Sequence, residues 1–322
     1  MKVLSSHEID TVEMRDAYCQ ALIEAAKEDP RVVMINCDLC SSMGLKPFAE
    51  LFPKKSFNVG IQEANGCGMA AGMSAAGLIP FFNTFAIFAT RRICDQVFLS
   101  CAYAGLNVKI IGGDAGVSAT YNGGTHMAFE DIGIMRSIPT MTIVEPSDAV
   151  MMKDLVSQLA KDYGVFYMRM PRKNMAKIYE PGSDFKIGQA TLVRDGNDVT
   201  IIASGMMVIE AIKAADILLS QGILARIIDM FTIKPIDVDC IVKCAKETGA
   251  FVTVENSNII GGLGSAVAET LIETFPTPLE RVGVKDQFGE VGQQDELKEK
   301  FGLTAPHIVE AVKRVLARKR SR

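Results

Sequence analysis

The sequence is poor in histidine, with three among 322 residues. It contains no run of the ~18 apolar residues that a membrane helix needs, and its amino-terminal stretch lacks the apolar core of roughly 7–15 residues that marks a signal peptide. These absences predict a cytoplasmic chain that neither spans nor enters a membrane. Charged residues make up only 22% and the net charge is −4, so no broad field favours nucleic acid or an anionic membrane. The basic run from Lys313 to Arg322 follows an amphipathic pattern and reads as a solvated end. Eight cysteines lie mostly inside apolar segments. Cys37 and Cys40 form a C-x-x-C pair, but no second Cys or His pair at matching spacing completes a zinc site, and the cysteines read as reduced, buried small hydrophobes. No repeat of short period is visible.

What is present is apolar bulk and alternation. At 48% hydrophobic residues the chain can bury one or two substantial cores and suits two domains of about 150 residues each. The hydrophobic pattern predicts helices over 12–27, 64–75, 84–104 and 148–161, and strands over 32–36, 56–59, 108–112, 142–144 and 165–169. Such alternation implies an α/β fold with a mostly parallel sheet covered on both faces. Residues 173–187, rich in Pro and Gly punctuation, read as a linker. A second unit over 188–322 follows with strands 199–203, 225–229, 251–255 and 279–284 and helices 207–221, 264–274 and 306–319. The turn Gly261-Gly262-Leu263-Gly264 lacks the context of a dinucleotide fingerprint and reads as tight helix–strand packing. The expected architecture is therefore two consecutive open, mostly parallel sheets flanked by helices, with a first unit over 1–172.

One acidic residue stands out. Phe57, Val59 and Ile61 alternate with polar or small neighbours as in a strand, and the small residues from Ala64 to Ala76 permit a closely packed helix. Glu63 sits between them, at the carboxyl end of a strand, where open α/β sheets place their ligand crevice. In the following segment Pro80 is read as ending one element and Thr84 as starting a helix, so that Phe85 and Phe88 lie on one face, with Arg92 and Asp95 continuing the stripe. Two Phe rings beside a buried carboxyl suit a flat heteroaromatic ring with a basic nitrogen.

The segment GIQEANGCGMAAGMSAAGLIPFFNTFAIFATRRICDQV resembles the pyrimidine-binding domain of thiamine-diphosphate enzymes of the transketolase type, where G-I-x-E precedes a T-F-x-x-F helix. The segments SATYNGGTHMAFEDIGIMRSIPTMTIVEPSDA and VENSNIIGGLGSAVAETL, together with MRDAYCQAL and NCDL, extend the resemblance over almost the whole chain and in the family's order. The chain is similar to the second half of a transketolase that is split between two polypeptides. The resemblance implies a thiamine-diphosphate pyrimidine-binding domain followed by a transketolase C-terminal domain.

It also implies roles. Glu63 hydrogen-bonds the ring nitrogen of the aminopyrimidine and starts the proton transfer, Phe85 and Phe88 flank that ring, and Asp38 and Leu39 lie beside the cofactor. His126 contacts the donor's carbonyl oxygen, and Arg15, Ser42 and Arg172 grip a sugar phosphate. Two positions depart from the family: Asp114 stands where a phosphate-contacting His is usual, and Asn122 where an Asp reads a sugar hydroxyl. An Asp there repels phosphate, so a variant ketose, branched, deoxy or sulfonated, is implied. The Gly-Asp-Gly turn that holds the diphosphate and Mg²⁺ in this superfamily occurs nowhere in the chain. A partner polypeptide, the transketolase N-terminal section, is therefore expected to supply that site in a heterotetramer of two plus two chains. The rival readings are the β subunit of a 2-oxoacid dehydrogenase, a fragment of a 1-deoxyxylulose-phosphate synthase and, from another class, a catalytically silent regulatory partner that keeps the fold and has lost turnover.

Overall fold

The computed structural model describes residues 2–320, so Ser321 and Arg322 at the end of the basic run lie outside the described residues. The strands are β1 (Ile9–Glu13), β2 (Val32–Asn36), β3 (Ser56–Asn58), β4 (Ile79–Phe85), β5 (Lys109–Gly113), β6 (Thr142–Val144), β7 (Phe166–Arg169) and β8 (Asn174–Ala176). They continue as β9 (Thr191–Arg194), β10 (Val199–Ala203), β11 (Ala225–Asp229), β12 (Thr232–Lys234), β13 (Phe251–Asn258) and β14 (Leu279–Val284). Among the described residues a seven-stranded sheet has the order β12-β6-β7-β5-β4-β2-β3, and a five-stranded sheet the order β14-β13-β10-β11-β9. Within each sheet one edge pairing is antiparallel, β12 with β6 and β9 with β11, and the rest are parallel. Helices connect the parallel strands and cover both faces, as such sheets require. No helix of the described residues is long and apolar enough to cross a membrane.

The largest departure from the sequence reading falls on the segment that carries the aromatic pair. Residues 79–85 form β4, between β2 and β5, and the helical part starts only at Ala86, broken into short turns that run on to Tyr103. Pro80 is the second residue of that strand, near its start, where a missing N–H is tolerated. Every residue of β4 is buried, so the strand shows no polar–apolar alternation to distinguish it from a buried helix. Phe81 and Phe82, both fully buried, face the two opposite layers of the core, and each contributes roughly 1.5–3 kcal/mol of burial. Asn83, fully buried between them and the site, is satisfied: its amide donates to the carbonyls of Ile35 and Phe81, and Tyr18 Oη donates to its oxygen at 2.6 Å.

Residues 173–187 are packed. They include β8, which pairs antiparallel with β1, and the Asp148 carboxylate that caps its own helix at Met151 N also accepts from the backbone N–H of Ile178 and Tyr179. At the carboxyl end of β7, fully buried Arg169 joins the two halves of the chain. It donates to Asp131 at 2.7 Å, to Glu145 at 2.5 Å and to the carbonyls of Ala128 and Asn256, while Ser204 donates to the other oxygen of Glu145. Five cysteines are buried, but Cys40, Cys94 and Cys240 are only half-buried. The Gly-rich turn at 261–264 opens the helix Leu263–Thr274, and its backbone N–H groups at Leu263 and Gly264 donate to the buried Glu255 carboxyl, which confirms close packing as its purpose.

Candidate active site

Five neighbouring parallel strands each deliver a candidate residue at or beyond their carboxyl ends. In sheet order these are Arg172 after β7, Asp114 after β5, Phe85 closing β4, Asp38 after β2 and Glu63 after β3. That edge is where an open α/β sheet forms its crevice. Two of these turns put a non-glycine residue in the left-handed region, Asp38 at φ 61° and Asp114 at φ 57°; Thr120 nearby has φ 46°. Asp tolerates this conformation better than most residues, and strain of this kind gathers at functional sites.

Glu63 is the first residue of the helix Glu63–Ala75 and is 2% exposed. Ile61, in contrast, lies outside the strand and is 73% exposed, because β3 ends at Asn58. Thr84 Oγ1 donates to Glu63 Oε1 at 3.4 Å, and Arg92 Nη1 donates to Oε2 at 2.7 Å. The Arg92 guanidinium lies 3.9 Å from the centre of the Phe88 ring. Burial and the nearby Glu63 push the Cys37 thiol up to about 12, so it is no nucleophile. An oxygen that accepts from a guanidinium cannot simultaneously donate along that direction, so any group that is to meet Glu63 at Oε2 has to displace Arg92.

Phe85 and Phe88 are 6.2 Å apart between ring centres, tilted by 36°. A third ring between them would need roughly twice the ~3.5–4 Å contact distance of carbon atoms. The pair therefore forms an edge and not a slot for a third ring, and Phe88 offers the face that Arg92 covers. His126 stands edge-on to both, 6.1 Å from Phe85 and 5.3 Å from Phe88, with Nδ1 bonded to Thr125 Oγ1 at 2.9 Å. A Cβ on Gly124 would meet the carbonyl oxygen of Gly289 at 2.1 Å, so the loop carrying His126 is held against the second half of the chain. Asn256 on β13 anchors the start of the same loop through Val117 N and the Ala115 carbonyl. Neither contact, nor the pairing of Arg92 with Glu63, is expected from the sequence; the bare Gly-Gly of the loop is the one local signal of close approach.

At the other end of the crevice Arg172 meets Asp114 through both arms of its fork: Nε donates to Oδ1 at 2.9 Å and Nη2 to Oδ2. Asn122 donates to Oδ2 at 3.4 Å, and the Arg172 guanidinium lies 5.4 Å from the Phe85 ring. Burial pushes the Asp114 carboxyl up, although Arg172, Arg15 and His126 all pull it down. Arg15 donates from Nη1 to the Ser42 carbonyl at 3.1 Å, and its backbone N–H to the Arg172 carbonyl. Its Nε is 2.6 Å from Glu13 Oε2, an ion pair not aligned as a hydrogen bond. Asp38, exposed in its turn, is tied to Asn58, and Leu39 N donates to Asn36 Oδ1 at 3.2 Å. The contacts Arg172–Phe85, Phe85–His126, His126–Phe88, Phe88–Arg92 and Arg92–Glu63 form one unbroken series. Among the described residues no group of three or more His, Cys, Asp or Glu is arranged to hold a metal ion.

Two family descriptions match in succession: "Transketolase, pyrimidine binding domain" over residues 10–177 and "Transketolase, C-terminal domain" over residues 188–308. The chain belongs to the transketolase family. Transketolases depend on thiamine diphosphate, and the buried Glu63 beside Phe85 and Phe88 fits the pyrimidine end of that cofactor in its donor set. The chain is 49% identical over 309 residues to the 6-deoxy-6-sulfo-D-fructose transketolase subunit SqwH of Clostridium sp. (strain MSTE9), covering 96% of each. It is 41% identical over 302 residues to a putative transketolase C-terminal section of Methanocaldococcus jannaschii, covering 93% of this chain and 95% of that one. The solved structure of a split gene transketolase, an inactive β4 tetramer, superposes with a TM-score of 0.90 at 42% identity, over 96% of this chain and 99% of that one.

Proposed function

We propose that this chain is one subunit of a split, thiamine-diphosphate-dependent transketolase that moves a two-carbon ketol unit between sugars. When bound, the cofactor supplies the carbon nucleophile that takes up and releases the two-carbon unit. In this reading residues 1–172 form the pyrimidine-binding unit and 188–322 the C-terminal unit, joined by 173–187.

Glu63, freed from Arg92, shares a proton with the pyrimidine ring nitrogen, and its burial between Thr84 and the helix start keeps water from that proton. Phe85 and Phe88 orient the ring, with Asp38 and Leu39 beside it. His126 stands at the rim of the aromatic edge, placed to hydrogen-bond the donor's carbonyl oxygen or to move a proton there. Arg15, Ser42 and Arg172 hold the anionic terminus of the sugar, and Asp114 and Asn122 make that end unlike the one that grips an ordinary pentose phosphate. The relative that acts on 6-deoxy-6-sulfofructose by name supports a non-standard ketose as donor.

The chain lacks a Gly-Asp-Gly turn. In this reading the diphosphate and Mg²⁺ belong to a partner polypeptide, with one cofactor at each boundary between unlike chains of a two-plus-two heterotetramer; the relatives described as a transketolase subunit and as a split gene transketolase support it. The β4 tetramer of the relative, described as inactive, is what a chain without that partner should resemble.

The observation that carries the reading is the order Arg172, Asp114, Phe85, Asp38, Glu63 along one sheet edge, an anion end and an acid end joined by an aromatic floor. The test is reconstitution with the partner and assay against a panel of ketoses. Ketol transfer by the pair and none by this chain alone supports it. Decarboxylation of a 2-oxoacid with a lipoyl acceptor, in place of ketol transfer, would assign the chain to the 2-oxoacid dehydrogenases, and no turnover of either kind to a silent partner.

A further inference from the structure

Both guanidiniums at the anion end already have a carboxylate of this chain. Asp114 accepts from Nε and Nη2 of Arg172, so the planar fork that binds a phosphate bidentately is turned onto the protein, and Nη1 is the nitrogen Asp114 leaves unengaged. Glu13 pairs with Nε of Arg15. Asp16, half-exposed, lies 4.0 Å from the same nitrogen, so the two guanidiniums face three carboxylates and bring no net positive charge. Asp114 is the one among them that solvent cannot screen: its side chain is 3% exposed, against 26% for Arg172. Asn122 and the left-handed turn at φ 57° fix it in place.

We propose that this charge balance makes Asp114 a specificity-determining residue, which selects a singly charged substrate terminus, a sulfonate, over a doubly charged phosphate monoester. Both termini offer three oxygens on a tetrahedral centre and can accept from the same donors, Arg172 Nη1 and the Arg15–Ser42 corner. They differ by one unit of charge. A dianion enters a site with no net positive charge and faces a buried carboxylate, whereas a monoanion meets half that repulsion and is more easily desolvated. The inference rests on Arg15, Ser42 and Arg172 being the anion end of the proposed site.

The groups invoked here, Arg15, Ser42, Arg172, Asp114 and Glu13, all belong to this chain, so the selection is measurable without the partner. Ligand-observed NMR titrations compare methanesulfonate with methyl phosphate at about pH 8, where a phosphate monoester carries close to two charges. The wild-type chain should bind methanesulfonate at least as tightly as methyl phosphate. Asp114→Asn preserves shape and tolerates the left-handed turn, and should strengthen methyl phosphate binding about tenfold and methanesulfonate binding only about threefold, the half-sized effect of half the charge. Glu13→Gln, outside the buried core, should move the ratio the same way. Saturable binding of neither anion, tighter binding of methyl phosphate by the wild type, or a ratio unmoved by both substitutions would overturn the proposal. Failure of the reconstituted pair to transfer ketol units, with this preference intact, would remove the proposed function and leave the charge selection standing.

Discussion

Arg92 lies with its guanidinium 3.9 Å from the centre of the Phe88 ring and donates to Glu63 Oε2 at 2.7 Å. A planar cation thus makes both contacts proposed for the aminopyrimidine, one on an aromatic face and one on a buried carboxyl. Binding the cofactor there means breaking an ion pair whose Arg side chain is 43% exposed. Solvent screening limits that pair and its ring contact to roughly 1–2 kcal/mol together. Arg92→Met should therefore tighten thiamine diphosphate binding by the reconstituted complex about tenfold, measured by calorimetry. Weaker binding in this variant would instead make Arg92 a holder of the cofactor.

The buried Arg169 network carries a stability prediction. Burial opposes its charge, but Asp131 and Glu145 more than offset this and hold its pKa above the ordinary value. Removing the cation leaves both carboxylates without it, so Arg169→Ala should cost about 3–5 kcal/mol. Urea unfolding followed by circular dichroism checks this; a loss below ~1 kcal/mol would mean the network contributes little.

Glu255 gives a dependence on pH. Burial raises its carboxyl to about 7, against the pull of Gly264 N–H, the Ser257 hydroxyl and Leu263 N–H. Between the ordinary carboxylate range and about 7 the folded chain keeps a proton that the unfolded chain has released, so stability falls as pH rises through that window. The loss from this group is of the order of a few kcal/mol. Glu255→Gln should lower stability overall, because its amide faces backbone N–H donors, and should flatten the fall between about pH 5 and 8. An equally steep fall in the variant would place the titration elsewhere.

The sequence carries the frame of the fold where its signals are local. Strands Val32–Asn36, Thr142–Val144, Val199–Ala203, Ala225–Asp229 and Leu279–Val284 have the bounds their apolar runs predict. β4 is misread because Pro80 imitates a boundary and because a strand buried on both faces has no alternation. The short strands β8 and β12 form through partners far along the chain, β1 and β6, and no local pattern announces them. The candidate residues quoted for the family gather along one edge, as their positions after successive strands allow. Their partners are a different matter: Asp114 and Arg172 are separated by 58 residues and Glu63 and Arg92 by 29, so which charge neutralises which is decided by the folded chain alone.

The central claim is that Glu63, in the complex with the partner chain, begins the proton transfer that activates thiamine diphosphate. The most direct test is deuterium exchange at the thiazolium carbon of the bound cofactor, compared between wild type and Glu63→Ala in the reconstituted complex. Exchange slowed about 10²–10⁴-fold, with the cofactor still bound and the fold retained, is the predicted result. Exchange at the wild-type rate would contradict it.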